Sequence, residues 1–256
     1  MAATARTQGA TPDGSTIDPA EVARFEGIAK TWWDPKGPMA VLHKFNPVRL
    51  AFIRDLACAR FGRDPKTIRS LEGLSLVDIG CGGGVLSEPL ARLGAQVTGL
   101  DPAPTNIAVA RAHAESSGLA VDYRQETIEA LVAEGARFDI VLAMEVVEHV
   151  ADVEAFVAAC CAAVKPGGLL VMATLNRTLK SYALAIVGAE YVLRWLPRGT
   201  HDWEKFVTPD ELGAAIERSG LELGESTGVV YNPFSDRWSV ARDMDVNYMQ
   251  AAYRQV

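Results

Sequence analysis

An apolar run that breaks into glycines, Leu76-Val77-Asp78-Ile79-Gly80-Cys81-Gly82-Gly83-Gly84, constrains this chain more than any other stretch. A second run, Gln96-Val97-Thr98-Gly99-Leu100, ends on Asp101. Strands buried on both faces of a parallel sheet read as unbroken apolar runs, so Leu74–Ile79 is predicted to be the first strand of an α/β fold. Glycines behind such a strand let the backbone turn sharply and lie close against a ligand. An acid at the tip of the next strand, about 20 residues further on, suits a pair of ribose hydroxyls. Together these features predict a crevice for a nucleoside.

The glycine spacing says which kind. A dinucleotide site needs G-x-G-x-x-G, its last glycine packing helix against strand near the pyrophosphate. Here glycines stand at 80, 82 and 84, and Val85 occupies the position where that pattern wants glycine. A nicotinamide oxidoreductase is disfavoured on this ground. Asp78 precedes the turn, where a carboxylate can meet a cationic or amine-bearing ligand. This combination resembles the nucleotide loop of class I S-adenosylmethionine-dependent methyltransferases. The competing reading is a structural turn in some other α/β protein; the strand before the loop and Asp101 after it favour a cofactor.

A length of 256 residues fits one large domain with additions. The net charge of −7 argues against a duplex nucleic-acid binder, which needs a clustered basic surface. Cys58, Cys81, Cys160 and Cys161 show neither C-x-x-C spacing nor a framework of pairs, which fits a reducing, cytoplasmic setting and argues against zinc and disulfides. Residues 1–17 are rich in Ala, Thr, Gly and Pro, lack the apolar core of a secretory signal, and read as a disordered tail. No uninterrupted apolar stretch is long enough to predict a transmembrane helix.

Residues 18–70 are read as an N-terminal helical cap and residues 71–256 as the main domain. Asp18-Pro19 opens a first helix that runs to Trp32-Trp33, and a second is placed after Asn46-Pro47, through Phe61. Strands are predicted at Leu74–Ile79, Gln96–Leu100, Val121–Arg124, Phe138–Ala143 and Leu169–Thr174, with helices between them. Such alternation implies a parallel sheet with helices on both faces. Lys165-Pro166-Gly167-Gly168 is expected to end the helix before the fifth strand, and strands return from Leu221. Residues 176–207 read as an insertion. Within it, Tyr182, Ala185, Ile186, Ala189, Val192, Leu193 and Leu196 share a helical arc of about 120°. That face either packs on the domain or lies in a membrane interface.

Ligands of open α/β sheets sit beyond the carboxyl ends of the strands. Three ends stand out: Gly80–Gly84, Asp101, and the group Met144-Glu145-Val146-Val147-Glu148-His149. Glu126, after the third strand, is a further candidate near the adenine. Glu145 and Glu148 are spaced to share one side of a helical turn, and with His149 they suit Mg²⁺ or a similar ion. The same residues also read as a solvated helix cap, and His149 as a general base.

Beyond the glycine loop, further segments are similar to the ubiquinone-biosynthesis O-methyltransferases. They are Phe25…Trp32-Trp33-Asp34, Leu42-His43…Asn46-Pro47…Arg49, Glu145-Val146-Val147-Glu148-His149, Thr174-Leu175-Asn176-Arg177, Gly199-Thr200-His201-Asp202, Tyr231-Asn232-Pro233 and Asp245-Val246-Asn247-Tyr248-Met249. The resemblance covers nearly everything after residue 18. It implies a Rossmann-like fold with a mostly parallel, seven-stranded sheet. It also implies an S-adenosylmethionine site at Arg49, Gly80, Asp101 and Met144, to which the loop reading adds Asp78, Gly82 and Glu126. Glu145, Glu148 and His149 would then bind a divalent metal, usually Mg²⁺, with His149 and Glu145 the catalytic candidates. The implied reaction methylates ring hydroxyls of polyprenylated catechols and quinols at both O-methylation steps. A polyprenyl tail further implies peripheral contact with the inner face of the cell membrane through residues 181–196, and a place in a ubiquinone-biosynthesis complex. The rivals are a methyltransferase for a soluble phenol and a non-catalytic cofactor-binding subunit. The intact loop, Asp101 and the acidic group argue against the second.

Overall fold

Strand β1 (Ser75–Ile79) has a parallel neighbour on each side and is buried from Leu76 onward, its side chains covered by a layer on each face. On one side β2 (Gln96–Leu100) pairs Ser75 with Gln96 through Ile79 with Leu100; on the other β4 (Phe138–Met144) pairs Leu76 with Ile140 through Ile79 with Ala143. This computed structural model describes residues 16–183 and 203–256. The parallel sheet extends to β3 (Asp122–Arg124) beside β2 and β5 (Val164–Leu175) beside β4. Three antiparallel pairings complete it: β8 (Asn247–Tyr253) on β5, β6 (Glu222–Asn232) on β8, and β7 (Arg237–Ala241) on β6. The order is β3-β2-β1-β4-β5-β8-β6-β7. Among the described residues the sheet therefore has eight strands where seven were expected. The additional strand, β7, is a mostly exposed edge strand whose residues carry no apolar run.

Neighbouring residues of each strand feed opposite layers. Val77, Val141 and Leu170 meet Phe156 and Val157 of α6 (Val153–Ala162) and Leu212 and Ile216 of α8 (Pro209–Arg218). Leu76, Ile140 and Val171 meet Ile53 and Leu56 of α2 (Ala40–Phe61) and Leu90 of α3 (Ser87–Arg92). Burying each such side chain contributes about 1.5–3 kcal/mol before opposing terms. The stretch expected to cap the crevice thus divides in two. Helix α2 is part of the core, and the covering falls to α1 (Pro19–Ile28) and the turn after it.

Three boundaries differ from expectation. Helix α2 begins at Ala40, ahead of Pro47, which lies inside it. An interior proline costs about 3 kcal/mol. Buried Phe45 and the Asn46 side-chain amide, which donates to the Val85 carbonyl at 2.8 Å, hold the turns around it in place. The Lys165–Gly168 segment belongs to β5, where the register with β4 shifts between Phe138 and Ile140 and absorbs a left-handed Gly167. Thr16 and Ile17 are ordered parts of the fold rather than of the expected tail, because Ile17 bridges Val150 and Thr16 Oγ1 donates to Glu129 at 2.5 Å.

Among the described residues the remaining α-helices are α4 (Pro104–Ser116), α5 (Ile128–Ala133) and the single turn α7 (Leu179–Ser181). Most of the amphipathic face predicted over 181–196 lies outside the described residues. Among the described residues no helix is long and apolar enough to cross a membrane.

Candidate active site

A cavity of about 840 Å³ opens beyond the carboxyl ends of β1, β2 and β4. All the candidates from the sequence except Gly82 line it: Arg49, Asp78, Gly80, Asp101, Glu126, Met144, Glu145, Glu148 and His149. Gly82 stands just behind, donating its backbone N–H to Asp101 Oδ2 at 2.9 Å.

The glycine loop is tight for a visible reason. Gly82 has φ +54, and a Cβ there would lie 2.4 Å from the Trp32 ring. Only glycine permits both the left-handed backbone and that approach. Trp32 Nε1 donates to Asn106 Oδ1 at 2.9 Å, and Asn106 Nδ2 donates to Asp101 Oδ1 at 3.1 Å. The Ala103 N–H adds a third donor to Asp101 at 2.9 Å. Beside it, Trp33 Nε1 donates to the Gly83 carbonyl at 2.8 Å and stacks on His113 with ring centroids 3.4 Å apart. The aromatic pair therefore clamps the loop from above, and a chain of two side chains ties it to Asp101. Burial pushes the Asp101 carboxyl above its ordinary range in spite of these three donors.

Asp78 is buried on the β1 face shared with α3 and accepts from Ser87 Oγ at 2.5 Å. Burial drives it up to about 6, against the Ser87 hydrogen bond and the charge of Arg49. Arg49, 5% exposed, donates to Glu145 Oε1 at 3.0 Å and lies 4.1 Å over the Phe45 ring, while its Nε has no partner. Met144 ends β4 as a buried wall. Glu126 approaches Arg124 at 3.8 Å on the far rim.

The three side chains expected to share a metal do not converge. Glu145 has φ +59, a left-handed conformation uncommon outside glycine, and the next residues form only a 3₁₀ turn at Val147–His149. The helical spacing that would align Glu145 with Glu148 is therefore never realised. Glu145 turns to Arg49, Glu148 Oε2 accepts from Thr174 Oγ1 at 2.8 Å, and His149 Nδ1 lies 3.1 Å from Glu21 Oε2. Among the described residues no cluster of three or more His, Cys, Asp or Glu is arranged to hold a metal. Buried Glu148 keeps one oxygen without a partner, and burial, with the nearby Glu145 charge, raises it to about 7.

Glu21, Ser87 and Asn106 were missed as site residues by sequence reasoning, which named Trp32 only as part of a family signature. Glu21, from α1, also receives Arg24 at 2.8 Å and Lys205 at 3.2 Å. Burial disfavours the His149 cation, but the hydrogen bond to Glu21 and the charges of Glu148 and Glu21 outweigh it and raise His149 above its usual value.

A sheet in this order, with a glycine loop behind β1, an acid ending β2 and a cavity across their carboxyl ends, defines a class I S-adenosylmethionine-dependent methyltransferase. The family profile described as "Methyltransferase domain" matches residues 77–172. The chain is 70% identical over 243 residues to the ubiquinone biosynthesis O-methyltransferase of Methylobacterium sp. (strain 4-46), covering 95% of this chain and 98% of that one. It is 61% identical to the protein of the same name from Bradyrhizobium sp. (strain ORS 278), covering 95% and 96%. The chain belongs to the ubiquinone biosynthesis O-methyltransferase family. Among solved structures, magnesium protoporphyrin IX methyltransferase from Synechocystis PCC 6803 with bound SAH shares the fold at TM-score 0.63 and 18% identity, covering 91% of this chain and 95% of that one.

Proposed function

We propose that this enzyme methylates ring hydroxyls of polyprenylated catechol and quinol intermediates of ubiquinone biosynthesis, at both O-methylation steps. The observation that carries this reading is one continuous cavity lined by both Asp101 and His149, so that a nucleoside and an acceptor hydroxyl can meet inside it. The residues present suit the cofactor. A buried carboxylate ends β2, a glycine cradle has no room for side chains, and Arg49 has a buried unpartnered N–H.

S-adenosylmethionine supplies the methyl group on a sulfonium, which is already a strong electrophile. The protein's task is alignment and removal of the phenol proton. Asp101 would hold the ribose hydroxyls, Arg49 the methionine carboxylate, and Asp78 the amino group, with Gly80 and Met144 as walls and Glu126 on the rim. His149 would take the proton. With Nδ1–H directed to Glu21, the neutral ring keeps Nε2 as an acceptor. Phe25 packs edge-on to the imidazole at 5.2 Å and fixes its plane. Glu145 would hold Arg49 in place. The Glu145, Glu148 and His149 donors do not fit Mg²⁺ as they stand, and no step here passes through a metal.

The test is methyl transfer from labelled S-adenosylmethionine to a short-chain prenyl catechol, with EDTA and with EDTA followed by Mg²⁺. Product indifferent to chelation is expected. Product lost on chelation and restored by Mg²⁺ would make His149 a ligand rather than the base. Absence of product despite cofactor binding would overturn the substrate class.

Asp78 predicts a pH dependence of cofactor binding. With its carboxyl near 6 in the free enzyme, it is ionised above that pH and protonated below. A cofactor ammonium needs the carboxylate, so binding must expel the proton as pH falls. Affinity is expected to drop about tenfold from pH 7 to pH 5, and calorimetry of Asp78→Asn should show a flat profile. A wild-type profile equally flat would remove Asp78 from the ammonium.

We also infer peripheral membrane contact at the inner face of the cell membrane. Support comes from Leu179, 82% exposed at the start of the 176–207 insertion. Failure to co-sediment with vesicles would overturn it.

A further inference from the structure

From Arg49 the cavity continues as an aromatic arm. The Arg49 guanidinium sits over Phe45, whose ring centroid is 5.1 Å from that of Trp238 on β7; Trp238 is in turn 5.2 Å from Tyr231 on β6. The planes are inclined by 38° and 45°, so each ring offers part of a face rather than stacking shut on its neighbour. Phe45, Tyr231, Trp238 and Pro233 all line the cavity. The β6–β7 turn then presents Phe234, which is fully exposed. Beside this turn one ion pair is closed, and Arg237, the first residue of β7, is exposed. Lys44 and Asp236 pair at 2.7 Å, and the Tyr231 hydroxyl donates to Asp236 at 2.7 Å.

A ligand that follows this row of rings outward from Arg49 meets apolar faces along its length. A free phenol would leave the three rings against water. We propose that Phe45, Trp238, Tyr231 and Pro233 form the binding site for the first isoprene units attached to the acceptor ring, and that the tail leaves the enzyme past Phe234 at the β6–β7 turn. This rests on the proposed reaction for the ring and adds the tail's route. Methyl-branched, unsaturated carbons contact aromatic faces throughout, at no cost in desolvated polar groups.

Two measurements on the full-length chain test it. The first is binding of farnesol, a prenyl chain without a ring, to enzyme saturated with S-adenosylhomocysteine. Trp238→Ala is expected to weaken it about tenfold or more, and Trp238→Phe, which keeps an aromatic face, should recover most of the loss. Tyr231→Ala, on the neighbouring strand, is the second variant, and affinity for S-adenosylhomocysteine is the control for folding. The second measurement is kcat/KM for catechols carrying zero, one, two or three isoprene units. The value is expected to rise with each added unit, and Trp238→Ala should flatten the series through KM. Farnesol binding and a tail-length slope that survive both alanine variants would overturn the arm. Catechols methylated equally at every length, with no farnesol bound, would overturn the arm and leave the reaction standing. Farnesol bound and lost in Trp238→Ala, with no catechol methylated, would uphold the arm and retire the reaction.

Discussion

Replacing Asp101 with alanine is expected to weaken S-adenosylmethionine binding by about a hundredfold or more, as measured by calorimetry on the purified enzyme. Two hydrogen bonds from ribose hydroxyls to a buried carboxylate contribute about 1.5–3 kcal/mol each, and each 1.4 kcal/mol is tenfold. A second loss adds to the first. Asp101 accepts from the Gly82 and Ala103 backbone N–H groups and from Asn106, so its removal leaves three donors facing an apolar gap and frees the loop. Asp101→Asn should rescue little. One of its two terminal atoms is an NH₂, which would confront a donor whichever way the amide is turned. An Asn variant that binds the cofactor as tightly as the unchanged enzyme would exclude Asp101 from the ribose site.

His149→Ala is expected to lower kcat by about 10²–10⁴ while cofactor affinity stays close to that of the unchanged enzyme. The ring is held by Glu21 on one edge and by Phe25 against its face, so the alanine loses an oriented base and not a wall of the nucleoside site. Glu21→Gln should keep the ring in place but weaken its hold on a proton, giving a smaller fall in kcat. Product formed by His149→Ala at the wild-type rate would end the base assignment. A fall confined to cofactor affinity would move the residue to binding.

The parts of this site that were legible in the sequence are those coded locally. β1 and β2 read correctly because both faces of each are covered, which leaves apolar runs with sharp ends at Gly80 and Asp101. The glycines announced a tight turn, although nothing in the chain said that a tryptophan ring was what they had to clear. Glu21 was not legible, since its partner His149 is 128 positions away and its own helix reads as an ordinary surface helix. Asn106 and Ser87 were hidden in the same way, as polar residues on helices whose contacts exist only once the helices dock. The acidic trio failed in the opposite sense. Closeness along the chain suggested convergence, but a left-handed Glu145 followed by a short 3₁₀ turn sends the side chains to Arg49, Thr174 and Glu21. β7 escaped notice because an edge strand covered on one side needs no apolar pattern.

Lys205 reaches Asp18 at 3.0 Å and Glu21 at 3.2 Å, and so fastens the first helix from a distant part of the chain. Everything from β1 to β5 is synthesised before residue 205, so Ile17, Thr16 and Glu21 around the start of α1 can already meet Val150, Glu129 and His149, and the lysine clasp on Asp18 and Glu21 is added last. A growing chain would therefore hold the parallel strands and both members of the His149–Glu21 pair before the clasp that neutralises the other Glu21 oxygen exists. Lys205→Ala is therefore expected to loosen α1 over the crevice while the sheet stays folded, read as faster amide exchange in residues 19–28 alone.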